Sequence, residues 1–72
     1  MNIKEEDKFI FHSSNGMDYA IEVVNINIYR EPSMKYGLDV WDQNGTYAGD
    51  VTFVGDDFWK KNFNKLDKVV GI

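Results

Sequence analysis

The sequence predicts an α+β domain, a four-stranded antiparallel β-meander packed against one C-terminal amphipathic α-helix (ββββα). Short runs rich in Phe, Ile, Val and Tyr are punctuated by Asn-Gly pairs at positions 15–16 and 44–45, the strongest short-range hairpin signal. After Gly55 the apolar spacing changes from two to about three and a half, which is the helical period. At 72 residues the chain has room for one domain, taken as 1–72, and such a domain buries only about 60% of the surface its unfolded chain exposes.

Residues 1–8 are charged and aperiodic and are read as a frayed lead-in. Strand one spans about 8–12, where Lys8-Phe9-Ile10-Phe11-His12 precedes the turn-forming Ser13-Ser14-Asn15-Gly16. Strand two spans about 19–29 and changes phase partway. Tyr19, Ile21 and Val23 share one face, whereas Val24, Ile26 and Ile28 share the other. A β-bulge at Val23-Val24 would turn the later residues back to the core, leaving Glu22, Asn25, Asn27 and Tyr29 toward water.

The segment Arg30 to Lys35 contains the only proline and is expected to be a mobile connection. Strand three spans about 36–43 and strand four about 46–54, joined through Asn44-Gly45, both able to take the positive φ of a type I′ turn. In strand four Tyr47, Val51 and Phe53 share a face opposite Asp50 and Thr52, and Ala48, Gly49 and Gly55 admit close backbone approach. The helix spans about 57–70. Trp59, Phe63, Leu66 and Val70 form its stripe, Asp56 or Asp57 caps it, and Gly71 ends it.

Net charge is −4, which disfavours direct binding to a polyanion, since phosphate contacts need clustered Lys and Arg. The charge is polarised. Residues 1–57 carry eleven Asp or Glu against four Lys or Arg, and residues 58–72 carry four Lys against Asp67. The chain lacks cysteine, so its core must come from aromatics and aliphatics without disulfides or thiolate metal ligands. No apolar run is long enough for a membrane span or a signal sequence, and the expected location is the cytoplasm.

Candidate chemistry is sparse. His12 is the only histidine. Asp18 or Glu22 could orient it toward Ser13 or Ser14, but adjacency in sequence does not assemble a triad. Asp42, Asn44, Thr46 and Asp50 superficially resemble a calcium loop, yet counting from Asp42 the sixth and twelfth positions are Tyr47 and Phe53 rather than the Gly and Glu that loop requires. Asp56-Asp57 is read as a helix start, and Lys60, Lys61, Lys65 and Lys68 as a solvated helix face.

The surplus of aromatics is the most informative feature. Trp41, Tyr29, Tyr36, Tyr47 and Phe58 exceed what one helix-on-sheet interface readily covers, and exposed Trp and Tyr flanked by acids are typical of protein-binding hot spots. The functional expectation is a non-enzymatic protein-binding module, an inhibitor or adaptor, without cofactor or metal. Its partner-binding residues are Trp41, Tyr29, Asp39, Asp50 and Glu22, and a nucleic-acid-binding protein is one class of partner an acidic face would suit. The competing readings are a structural homo-oligomer, a homodimer being one form, that buries the surplus aromatics and, weaker, a nucleic-acid binder using the helix lysines.

Overall fold

A computed structural model describes residues 2–70. They form β1 (Lys8–His12), β2 (Asp18–Ile26), β3 (Tyr36–Trp41), β4 (Thr52–Val54), α1 (Asp56–Lys61) and β5 (Leu66–Val69), with 3-10 turns at Pro32–Met34 and Phe63–Lys65. All pairings in the sheet are antiparallel, in the order β4-β3-β2-β1-β5. The meander of four is therefore present, extended by a fifth strand at the β1 edge.

That fifth strand replaces most of the expected helix. α1 ends at Lys61, where the Asn62 side-chain amide and backbone N–H both donate to the Phe58 carbonyl. Asn62 and Asn64 are poor helix formers, and Val69 is β-branched. Pairing residues 66–69 with β1 supplies their backbone partners and covers an edge that would otherwise be open. The stripe predicted for a longer helix consequently scatters. Trp59 is buried, Leu66 is half-buried, and Phe63 and Val70 are exposed. Gly71, the expected terminator, lies outside the described residues.

The bulge forms where the phase change placed it. Val23 pairs with Leu38 and Asn25 with Gly37, so Val24 is the extra residue. Ile26 then lies opposite Tyr36 on the same face as Ile21 and Val23. The lead-in is also engaged there, with Glu6 N–H donating to the Val23 carbonyl and Val23 N–H to the Asp7 carbonyl. The strand stops at Ile26 because Asn27 takes a φ of 63°, and Ile28, expected inside, is 58% exposed. The following connection contains the 3-10 turn at Pro32–Met34, over which Gly55 packs. A Cβ at Gly55 would lie 2.7 Å from the Pro32 carbonyl oxygen.

Both short hairpins use one positive φ rather than two. Ser13 and Asp42 each pair with the residue four positions on, the carbonyl of each accepts from Gly16 or Gly45, and only those glycines enter the left-handed region. This is a type I turn closed by a glycine bulge, and at Asn44-Gly45 it replaces the expected type I′ turn. Strand four is also shorter than 46–54. Tyr47 bridges Trp41, the chain bends through Gly49 at φ 98°, and pairing resumes at Thr52.

The core lies between α1 and one face of the sheet. Phe9, Ile21, Val23, Tyr36, Leu38 and Trp59 are buried, and Trp59 meets Phe9, Tyr36 and Phe58 at ring-centroid distances of 5.2, 5.5 and 5.1 Å. Each such side chain contributes about 1.5–3 kcal/mol on burial. No side chain caps α1. Gly55 occupies the N-cap, and Asp56 and Asp57 sit in the first turn, where their charge suits the dipole. The Asp56 carboxylate instead accepts from Tyr36 Oη at 2.9 Å and faces Lys35 at 3.4 Å. The Tyr36 hydrogen bond, with Lys35, holds the Asp56 carboxyl below its ordinary value.

Candidate protein-binding face

The sheet face opposite α1 is built by the alternation of β1, β2 and β3. Ile10 lies opposite Ala20 on one side and Asp67 on the other, and Ala20 lies opposite Trp41, which is bridged by Tyr47. Residues directly opposite in a sheet share a face, so one row across the molecule reads Asp67, Ile10, Ala20, Trp41, Tyr47. The neighbouring row reads Val69, Lys8, Glu22, Asp39. A row containing Ile10, Ala20, Trp41 and Tyr47 therefore runs beside one that carries Glu22 and Asp39.

Of the five residues expected to bind a partner, Glu22, Asp39 and Trp41 are brought together here. Glu22 and Asp39 are direct cross-strand partners, a like-charge pairing that costs rather than contributes stability. Tyr29 lies further along, beyond the end of β2, where its ring meets Phe53 edge-on at 5.0 Å. Asp50 sits in the bend before β4, its carboxylate accepting from the Val51 N–H. These two residues do not join the Trp41 cluster.

Tyr47 is the member that strand periodicity alone does not single out. Its ring lies 5.6 Å from that of Trp41, and its hydroxyl donates to Asp39 Oδ1 at 2.7 Å. This bond to a carboxylate, followed by desolvation, raises the phenol above its ordinary pKa. Tyr47 remains 39% exposed. Tyr36 and Phe58 are taken up on the other side of the sheet, Tyr36 buried and Phe58 packed against the core. Phe53, paired with Gly37, lies on the outer face with Tyr47.

His12 closes the row of Asp67 from below. Its Nδ1 lies 2.9 Å from Asp18 Oδ1 and its Nε2 2.8 Å from Asp67 Oδ2. Two carboxylates can both accept only if both ring nitrogens donate, which is the imidazolium form. The bonds to Asp67 and then Asp18 accordingly raise its pKa. Ser13 Oγ donates to Asn15 Oδ1 within its own turn, and Asp42 Oδ1 accepts from the Asn44 and Thr46 N–H groups at 2.9 Å each. Both groups are committed to turn geometry.

The four C-terminal lysines do not share a helix face. Lys60 and Lys61 are on α1, Lys65 is in the 3-10 turn, and Lys68 is on β5, 3.6 Å from Asp7. Among the described residues no group of three or more His, Cys, Asp or Glu is arranged to hold a metal ion, and no helix is long and apolar enough to cross a membrane. Comparison with models of protein families, with curated proteins and with solved structures returned no match.

Proposed function

We propose that this chain is a non-enzymatic protein-binding module, an inhibitor or adaptor, that engages its partner through the acidic, aromatic-bearing face formed by β1, β2, β3 and Tyr47. The observation that carries this reading is the Trp41–Tyr47 pair, which stands on the side of the sheet that α1 does not cover and is flanked by Asp39 and Glu22. Large amphipathic rings held rigid beside fixed carboxylates are the composition of interface hot spots. Fixing Tyr47 through Asp39 lowers the entropy lost when a partner closes over it.

Affinity capture from native lysate with the wild-type chain, W41A and D39N tests this reading. A partner retained by wild type and lost with W41A supports it. Capture of nothing in repeated experiments, or of a partner indifferent to both substitutions, overturns it.

A further inference from the structure

Resting on that reading of the outer face, we infer that a depression beside Trp41 receives an arginine side chain presented by the partner protein. The depression has a volume of about 480 Å³ and includes Ile10, Ala20, Trp41, Asp18 and Asp42 in its lining. Its apolar part is the Ile10–Ala20 cross-strand pair, its wall is the indole, and carboxylates come from the start of β2 and from the turn after β3.

These parts match a side chain that is apolar along its stem and cationic at its tip. The three methylenes of arginine would lie over Ile10 and Ala20. The planar guanidinium would then reach the indole face and the two carboxylates, combining cation–π contact with charge-assisted hydrogen bonds. Tyr47 packs against Trp41 but does not line the depression.

The local charge favours a cation. Asp18 gives one oxygen to His12, and His12 is shared with Asp67, so one imidazolium faces two carboxylates. Asp42 has no cationic side chain within 4.0 Å among the described residues, its Oδ1 serving only backbone amides. Glu22 and Asp39 stand one row away, in the same row as Lys8, which is the cross-strand partner of Glu22. Arginine suits the site better than lysine because its fork can meet a carboxylate while its plane lies on a ring.

The test is a titration of the ¹⁵N-labelled chain with a blocked Gly-Gly-Arg-Gly-Gly peptide and with counterparts carrying lysine or citrulline. The expected result is saturable shifts at Ile10, Ala20, Asp42 and the Trp41 indole. Arginine should bind several-fold tighter than lysine, and citrulline should leave the spectrum unchanged. D42N keeps a side-chain oxygen for the turn amides and should weaken the arginine peptide by about tenfold, with the rest of the spectrum unmoved. Equal shifts with citrulline, shifts confined to other surfaces, or no shifts would overturn the inference. If these occur while captured partner still depends on Trp41, the arginine assignment falls and the protein-binding reading stands.

Discussion

His12 Nε2 lies 2.8 Å from Asp67 Oδ2, joining the end of the first strand to a strand 55 residues later in the chain. With Asp18 on Nδ1, the imidazolium ties β2, β1 and β5 together at one end of the sheet. Loss of its proton leaves at least one carboxylate facing a nitrogen lone pair.

The sign of the resulting pH dependence follows from the raised pKa. The folded state holds the proton more tightly than the unfolded state, so the stabilisation is fully present below the ordinary histidine value of about 6.5 and is lost as pH rises through the higher folded value. Thermal melts across this window should show stability falling as pH rises, and H12Q should abolish that slope. An NMR titration of the His12 ring with a midpoint at or below its ordinary value would contradict the assignment.

Tyr47 and Asp39 make a second titration test. D39N retains an acceptor for the phenol but removes the charge that opposes its ionisation, so the Tyr47 pKa should fall toward its ordinary value. Tyrosine-resolved NMR between pH 8 and 12 would check this, and an unchanged Tyr47 titration would show that the bond does not persist in solution.

The bulge has its own test at Gly37. A Cβ at this position would fall on the Asn25 side-chain amide, which covers it from the opposite strand. Because the obstructing atoms are the end of the Asn25 side chain rather than backbone, G37A should cost about 1 kcal/mol, the low end for overpacking, and combining it with N25G should recover part of that loss. Denaturant melts of the two single variants and the double variant measure the coupling. Additive losses would contradict this contact.

In the core, Leu38 and Val23 are direct cross-strand partners at 1% and 0% exposure. L38A should destabilise by about 2–5 kcal/mol. For a chain of this size that is a large share of a total of roughly 4–11 kcal/mol, and a denaturation midpoint close to wild type would contradict the packing described.

Much of the meander was legible because period two and turn chemistry are local signals. β1 has the expected bounds, and the Tyr19-Ile21-Val23 to Val24-Ile26 phase change located the bulge without any partner strand being known. The C-terminal segment was only partly legible, because Trp59, Phe63, Leu66 and Val70 carry helical spacing but residues 66–69 are drawn off by pairing with the β1 edge. Only Asn62, Asn64 and Val69-Val70 hinted locally at a break. The site divides similarly. Trp41 and Asp39 lie two apart on one strand and share a face by alternation, but that Glu22 opposes Asp39 and that Tyr47 donates to it are matters of register and of the bend at Gly49.

The proposed function requires that a different protein close over Trp41 and Tyr47. Its most direct test replaces Tyr47 with a photo-crosslinking phenylalanine derivative in the native cell, with Phe63, which is 60% exposed and away from this face, replaced as the control. The expected result is an adduct between this chain and another protein from position 47 and none from position 63. No adduct from position 47, or one with twice the mass of the chain, would contradict it.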